Sequence, residues 1–111
     1  MTAYFELKAA GREFVWTLKS ADHDVILTSE PYQTHESALN AIASAKKGAV
    51  DDKRYDRRAS KDGKFYFVLL APNGRGVGKS EPYKTRAALE SGIQSMKKNA
   101  PQALFKDLSE E

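Results

Sequence analysis

Cysteine is absent from this 111-residue chain, and the absence removes several classes of chemistry at once. Without cysteine there are no disulfide bonds, thiolate metal sites, iron-sulfur clusters or cysteine nucleophiles. An ordinary hydrophobic core must therefore hold the fold together. The chain is long enough to close one such core, whereas two independent domains of half its length would each be marginal. We therefore expect a single domain over residues 1–111.

Long apolar runs are also missing. No apolar stretch approaches the roughly 18 residues that a membrane-spanning helix needs. Residues 1–7 lack the basic and apolar regions of a secretory signal peptide. We therefore expect a soluble cytoplasmic protein with no membrane partner.

Histidine is scarce, since His23 and His35 are the only two in the chain. A metal site built on them would need nearby carboxylates such as Asp22 or Asp24, and we expect no such site. The serines lack a plausible histidine and aspartate arrangement, which makes them capping or solvated groups rather than nucleophiles. The sequence therefore predicts a protein that is not an enzyme and holds no metal or cofactor.

Charge of one sign is not in large excess, because the net charge is only +3. The excess is unevenly spread: residues 1–50 carry five basic and six acidic side chains, and residues 51–111 carry thirteen and nine. A local basic excess attracts anionic partners. Strong non-specific nucleic-acid binders usually show a clustered basic stripe, and this chain falls short of that composition.

What the chain does contain is a repeat. Residues 29–34, Ser-Glu-Pro-Tyr-Gln-Thr, recur as residues 80–85, Ser-Glu-Pro-Tyr-Lys-Thr, at an offset of 51 residues. Each copy leads through a helical pattern to a pair of lysines at the same offset. A constant period of this size indicates two copies of one supersecondary unit. We place the copies at about residues 1–51 and 52–108 and expect them to share one core.

Each unit begins with alternating strands. The large residues fall on one face in both copies, at Phe14, Trp16 and Leu18 and at Phe65, Phe67 and Leu69. Asp62-Gly63 and Asn73-Gly74 predict two-residue hairpin turns, and Asp22-His23 a less ideal form of the second turn. A third strand is expected near residues 25–27 and 76–78 and ends at the proline that follows.

A helix follows in each unit. Thr34 and Thr85 are candidate N-caps, and the helices are expected to reach about Lys47 and Lys98. Gly48 and Asn99 then predict a left-handed C-terminal cap. Both helices are amphipathic, with their apolar stripes at Ala38, Ala41, Ile42, Ala45 and Ala49 and at Leu89, Ile93, Met96 and Ala100.

Two further extended segments complete the pattern. Residues 54–59 start the second unit or complete the first, and Leu104-Phe105 are their possible counterpart near the C-terminus. Residues 109–111 are expected to be a frayed tail. The whole pattern predicts a single α+β domain in which a mainly antiparallel sheet carries two helices.

At this point a resemblance to a known family becomes clear. Phe5-Glu6-Leu7, both Ser-Glu-Pro-Tyr segments, the helix endings at 45–49 and 96–100, and residues 55–69 closely resemble the YegP-like family of uncharacterised bacterial proteins. The resemblance implies tandem β-β-β-α-β units that form one shared sheet, with terminal strands exchanged between the units. It also implies that a monomer is sufficient, as a covalent pseudo-dimer. It implies no activity, cofactor or catalytic residue.

Residues 73–80, Asn-Gly-Arg-Gly-Val-Gly-Lys-Ser, imitate a phosphate-binding P-loop. A true P-loop has glycine at the position of Asn73 and starts a helix at its lysine. Here Pro82 and the repeat place a strand at Lys79, so we predict a hairpin instead.

The densest basic cluster is a candidate polyanion or nucleic-acid site. It comprises Arg54, Arg57, Arg58, Lys61 and Lys64. On a strand, Arg57 and Arg58 point to opposite faces, so only part of the cluster lines one surface. The alternative is a solvated edge strand whose charges prevent sheet-to-sheet aggregation.

The two tyrosines of the repeated motif suggest a second candidate site. As structural residues, Tyr32 and Tyr83 would staple helix to sheet. As functional residues, they would frame two equivalent grooves with Glu30 and Glu81.

The favoured function is a non-enzymatic interaction or accessory module that engages a protein or small ligand, and weak nucleic-acid or polyanion binding through residues 54–64 is the alternative. The shared features of the two copies are all requirements of folding. We therefore expect any specific site in the stretches that differ, around residues 53–64 and in the glycine-rich third strand.

Overall fold

A computed structural model describes residues 2–109 as one seven-stranded sheet with two helices. The predicted α+β fold is confirmed. Residues 110 and 111 of the expected frayed tail lie outside the described part of the chain. In chain order the elements are β1 Tyr4–Ala10, β2 Glu13–Lys19, β3 Val25–Ser29, α1 His35–Gly48, β4 Tyr55–Ala59, β5 Phe65–Leu70, β6 Gly76–Ser80, α2 Arg86–Asn99 and β7 Leu104–Asp107.

The sheet has the order β4-β5-β6-β3-β2-β1-β7. The two units, β1-β2-β3-α1 and β4-β5-β6-α2, meet at the antiparallel pair of β3 and β6, where Thr28 faces Lys79. Every neighbouring pair is antiparallel except β1 and β7, which are parallel. Because β7 belongs to the second unit and joins the first, the terminal strand crosses between units. No strand of the first unit crosses in return. The strand that follows α1 is β4, which belongs to the second unit and pairs with β5 there.

The strand register shows where the repeat slips. Trp16 and Phe67 are 51 residues apart, and they face Leu7 and Arg57, which are 50 apart. The extra residue of the second unit therefore lies in the loop between β4 and β5. Positions are called equivalent below when they are 50 apart in β1 and β4, and 51 apart from β2 and β5 onward.

One core lies between the sheet and the helices. Trp16 and Phe67 are both completely buried, as the alternation predicts. Each makes an edge-on aromatic contact with the equivalent residue of the neighbouring strand, Phe5 for Trp16 and Tyr55 for Phe67. The predicted helix stripes are buried in the same cluster. A single core therefore contains the apolar residues of both units.

The predicted N-caps are confirmed. The hydroxyl oxygens of Thr34 and Thr85 each accept a 3.0 Å hydrogen bond from the backbone N–H three residues later. These bonds satisfy first-turn amides that have no partner inside the helix.

The predicted left-handed C-caps are wrong. Gly48 is still inside α1, and Asn99 has a φ of −95°. The N–H groups of Ala49 and Ala100 bond to the carbonyls four residues earlier, so each helical ladder continues one step further. After α2, Pro101 enters a short 3-10 turn, which needs right-handed dihedral angles. The turn that follows the helix therefore sets the backbone angles of its last residue.

The predicted hairpin turns occur at the expected places but have three residues rather than two. Ser60 and Lys64 close one loop and Ala71 and Arg75 another, each with a single left-handed glycine at its third position. This is a type I turn followed by a left-handed residue. His23 takes the left-handed position in the first unit with a φ of 71°, so the less ideal turn exists as predicted.

One strand boundary differs from the sequence prediction, and one residue assignment agrees with it. Arg54 lies in a 3-10 turn, Asp52–Arg54, and the strand starts one residue later, at Tyr55. Lys79 lies in β6, as the hairpin interpretation of the P-loop-like segment predicts.

Candidate ligand-binding cleft

The repeated Ser-Glu-Pro-Tyr motif holds the fold together. The hydroxyl oxygens of Ser29 and Ser80 accept hydrogen bonds from the backbone N–H groups of Trp16 and Phe67, at 2.9 and 3.0 Å. Both serines are buried, and each donates to the carbonyl of the glutamate that follows it. These hydroxyls occupy places that backbone groups would otherwise fill, so they are structural.

The tyrosines of the motif also bond through their backbones. Tyr32 exchanges two backbone hydrogen bonds with Phe14, and Tyr83 exchanges two with Phe65. Burial raises the pKa of both tyrosine hydroxyls, and the neighbouring glutamates raise it further. Both tyrosines therefore join the loop before each helix to the sheet.

Their side chains differ between the units. The Tyr83 hydroxyl packs so closely on Gly92 of α2 that a Cβ added there would overlap it. The Tyr32 hydroxyl instead donates a 3.3 Å hydrogen bond to the carbonyl of Val77 in β6. Tyr32 therefore reaches across the junction of the two units, where a cleft opens.

The arginines of the basic cluster are paired with carboxylates. Arg54 lies 3.5 Å from Asp51, and Arg58 donates two hydrogen bonds to Asp56. These pairs neutralise much of the charge that the sequence suggested was available. Lys61 and Lys64 lie in the loop between β4 and β5 and make no ion pair within residues 2–109.

Arg57 belongs to a separate network on the helix side of β4. Its guanidinium donates to Glu90 of α2 at 2.6 and 3.0 Å and to Asp52 at 3.0 Å, and Lys97 also donates to Asp52. Glu90, and then Asp52, raise the pKa of Arg57, while Arg57 lowers the pKa of Glu90. The Arg57 and Arg58 side chains therefore serve different surfaces, as their opposite pleat positions predict.

A cleft of about 770 Å³ lies at the junction of the units. Its walls come from the segment after β3, from α1, from β4, β5 and β6, and from the hairpin that joins β5 to β6. Eight of its lining residues are Glu30, Tyr32, Asn40, Arg58, Tyr66, Arg75, Gly76 and Lys79. The cleft thus brings Arg58 of the basic cluster together with Glu30 and Tyr32 of one predicted groove.

The wall around Gly76 combines apolar surface with cationic groups. A Cβ added at Gly76 would lie 3.1 Å from a methyl group of Val68, so the glycine keeps the space open. Lys79 Nζ lies 5.6 Å from the centroid of the Tyr66 ring. Arg75 and Lys79 make no ion pair among the described residues. The cleft therefore offers an apolar surface, an aromatic ring and two unpaired cations.

Five of the eight named cleft residues were not predicted as site residues: Asn40, Tyr66, Arg75, Gly76 and Lys79. The lining includes Arg58 from residues 53–64 and Gly76, Val77 and Lys79 from the glycine-rich third strand, the two stretches in which the sequence favours a site. A position-by-position comparison of charge between the two copies would have singled out Arg75, which is equivalent to Asp24, and Lys79, which is equivalent to Thr28.

The histidines have ordinary partners. His23 bonds to the Tyr4 hydroxyl at 2.8 Å, and His35 bonds to Asp107 at 2.7 Å. Ser109 donates to the same Asp107 carboxylate. The carboxylate, not the histidine, therefore lies between Ser109 and His35. That order lacks the serine-to-histidine contact that activates a nucleophile. In residues 2–109 no three histidine, aspartate or glutamate side chains gather as a metal site.

No helix in the described residues has the length and apolar character needed to cross a membrane.

Sequence comparison finds relatives along almost the whole chain. A UPF0339 protein of Bordetella pertussis is 50% identical over 107 residues, which cover 96% of each protein. The UPF0339 protein YegP of Escherichia coli is 38% identical over 108 residues, covering 96% of this chain and 98% of YegP.

Solved structures agree with the sequence relatives. The solution NMR structure of yegP from E. coli, described as a protein of unknown function, has a TM-score of 0.92 at 37% identity, covering 100% of this chain and 97% of the other. A UPF0339 protein from Shewanella oneidensis gives the same TM-score at 34% identity, with 98% and 93% covered. The family model described as Domain of unknown function (DUF1508) matches twice, over residues 9–56 and 60–107. The chain therefore belongs to the DUF1508 family, as a two-repeat member.

Proposed function

We propose that this protein is a non-enzymatic binding module whose small-molecule ligand occupies the cleft at the junction of the two units. The observation that carries the proposal is the convergence of polar side chains from both units on one concave, partly apolar surface. Its volume of about 770 Å³ falls within the range of roughly 300–1,000 Å³ typical of ligand pockets. The ligand would therefore contact both copies of the repeat at once.

The composition of the wall supports binding rather than catalysis. The Asn40 amide can donate to or accept from a ligand, and the Tyr32 hydroxyl oxygen, whose hydrogen goes to the Val77 carbonyl, can still accept. Both histidines bond elsewhere, to Tyr4 and Asp107. The cleft side chains thus include hydrogen-bonding and charged groups, and these fix a ligand without attacking it.

A matched pair of substitutions tests the proposal. Asn40 lies on the exposed side of α1 and lines the cleft, and Ser91 is its equivalent on the exposed side of α2. Asn40→Trp should fill the cleft, while Ser91→Trp adds the same bulk elsewhere. Both positions are exposed, so both variants should fold.

The measurement is an amide NMR titration with a panel of anionic, cationic and neutral small molecules. We expect at least one to shift the amides of residues 30–44 and 66–79 saturably, with affinity at least about tenfold weaker in Asn40→Trp and unchanged in Ser91→Trp. The proposal is wrong if no panel member shifts these amides, or if Asn40→Trp binds as well as the unmodified protein.

Polyanion binding through the basic cluster is a second candidate, and the unpaired Lys61 and Lys64 favour it. Phosphate contacts make such binding weaken steeply with salt. Retention on heparin that falls with salt and disappears in Lys61→Glu with Lys64→Glu would support it, and a flat salt response would reject it.

A further inference from the structure

We infer that the ligand of the cleft is a phosphate monoester with an apolar or aromatic body, held by Arg75 and Lys79. This inference rests on the proposed function, because it names the ligand class for the same cleft. It begins from a difference between the two units. Arg75 and Lys79 stand where the first unit has Asp24 and Thr28, and Asn73 stands where it has Asp22.

The three substitutions change the local charge strongly. Arg75 replaces a carboxylate by a cation, Lys79 replaces a neutral threonine by a cation, and Asn73 replaces a carboxylate by a neutral amide. The backbones of the two hairpins match, since both close with the same hydrogen bonds and one left-handed residue. Folding therefore tolerates either charge, and the basic residues are not required for the turn.

The two cations are also available. Arg57 and Arg58 are occupied by Glu90 and Asp56. Arg75 and Lys79 have no carboxylate within 4 Å in residues 2–109. Arg75 is exposed and Lys79 is exposed, so neither has lost its hydration to burial. A guanidinium offers a planar pair of donors that fits phosphate oxygens, and an ammonium adds a point charge.

Two cations without counterions match a dianion better than a single negative charge. Glu30 also lines the cleft, and its backbone N–H donates to the Val77 carbonyl of β6. Its carboxylate repels an anion, whereas the two cations attract one. The phosphate should therefore bind beside Arg75 and Lys79.

The body of the ligand has its own surface. Tyr66 provides an aromatic ring beside Lys79, and the mostly buried Val68 and Val77 expose small apolar patches next to it. The absence of a side chain at Gly76 leaves room there, and the equivalent residue in the first unit, Val25, would fill that room. Only the second unit therefore combines free cations with an open apolar wall.

The probe for this inference is phenyl phosphate, compared with inorganic phosphate and with neutral benzyl alcohol in amide NMR titrations. We expect phenyl phosphate to bind most tightly, inorganic phosphate more weakly, and benzyl alcohol not measurably. Arg75→Asp and Lys79→Thr install the residues of the first unit, so the fold should accept them. Each should weaken phenyl phosphate by about tenfold, because each removes a charge-assisted contact.

The matched control is Lys84→Gln, which removes an exposed cation outside the cleft and installs the first-unit residue of that position, Gln33. It should leave phenyl phosphate binding unchanged. If Arg75→Asp and Lys79→Thr bind phenyl phosphate as well as this control, the inference is overturned.

The panel also separates this inference from the proposed function. Benzyl alcohol binding in the cleft as tightly as phenyl phosphate would leave the cleft function standing and overturn the phosphate inference. Phosphate-induced shifts confined to Lys61 and Lys64 would overturn it in favour of the polyanion site. No cleft shift with phenyl phosphate or any other small molecule would overturn both.

Discussion

The two units of this protein have the same elements in the same order, and they differ most at the outer edges of the sheet. The edge of the first unit, β1, is covered by β7 in parallel register. The edge of the second unit, β4, is the end of the sheet. Completely buried Leu7 in β1 is replaced at the equivalent position by Arg57, and Leu39 in α1 by Glu90.

The helices follow the same division. Lys46 of α1 donates to the Ala103 carbonyl just before β7, whereas its equivalent, Lys97 of α2, donates to Asp52. A covered edge thus has an apolar underside, and an open edge has ion pairs. Charged residues on an open edge oppose unwanted pairing with another sheet. The duplicated units thus kept their backbone, and their side chains diverged according to what lies beside them.

The largest expected effect is at Leu7 and its equivalent, Arg57. Leu7→Ala should lower the free energy of unfolding by about 3 kcal/mol, because it leaves a cavity under β7. Arg57→Ala at the equivalent position should cost less than about 1 kcal/mol, because exposed ion pairs contribute little. Urea unfolding of both variants measures the difference. Equal losses would show that the two edges are not energetically different.

A second difference lies at the junction of the units, where Leu27 and Gly78 are equivalent. A Cβ at Gly78 would lie 2.9 Å from the Thr28 carbonyl oxygen and 3.0 Å from Leu27. One leucine therefore fills the space at the pseudo-symmetry axis, and its equivalent must be glycine. Gly78→Ala should lower the free energy of unfolding by about 2 kcal/mol through overpacking against backbone.

The control for this prediction is Gly76→Ala, whose new Cβ would meet only a side-chain methyl of Val68. That methyl can move, so the loss should be clearly smaller. Chemical denaturation of the two variants decides the matter, and a larger loss for Gly76→Ala would contradict the argument.

Much of this fold follows from local patterns in the sequence. Ser29 and Ser80 mark strand ends, Thr34 and Thr85 cap the helices, and the strand alternation places the large residues in the core. These features depend on neighbours a few residues away. The caps at Gly48 and Asn99 were predicted wrongly because the following turn, not the residue type, sets their backbone angles.

Long-range geometry was harder to derive from the residues alone. The pairing of β7 with β1 joins segments about a hundred residues apart, and only the family resemblance implied an exchanged strand. The cleft depends on how α1 lies beside the hairpin from β5 to β6, so Arg75 and Lys79 were not recognised as neighbours of Tyr32. The pairing of the arginines with Asp56 and Glu90 also needed the folded geometry.

A smaller effect concerns the acid stability of the β7 edge. Bonds from Ser109, and then from His35, lower the pKa of Asp107 from its ordinary value of 3.8 to about 2. A lowered folded-state pKa stabilises the protein above the unfolded value, and that stability is lost as pH falls from about 4 towards 2. Water screens this exposed group, so the effect should be less than that of a core substitution.

Urea unfolding of the unmodified protein and of Asp107→Asn between pH 5 and pH 2 checks this expectation. The two curves should differ at pH 5 and converge as Asp107 is protonated. The bond between Asp107 and His35 joins β7 of the second unit to α1 of the first. A constant gap at every pH would mean that the ionised carboxylate contributes nothing.

The smallest expected effect concerns Trp16, a core position that the second unit fills with phenylalanine. The Trp16 ring nitrogen is buried without a hydrogen-bond partner within the described residues, and its equivalent is Phe67, which has no such donor. Leaving a buried donor unsatisfied costs about 1–3 kcal/mol. Trp16→Phe removes this cost and leaves some empty volume, so the net loss of unfolding free energy should stay below about 1 kcal/mol. Phe67→Leu, which removes volume but no donor, is the control; a greater loss in Trp16→Phe than in Phe67→Leu would show that the indole nitrogen has a partner after all.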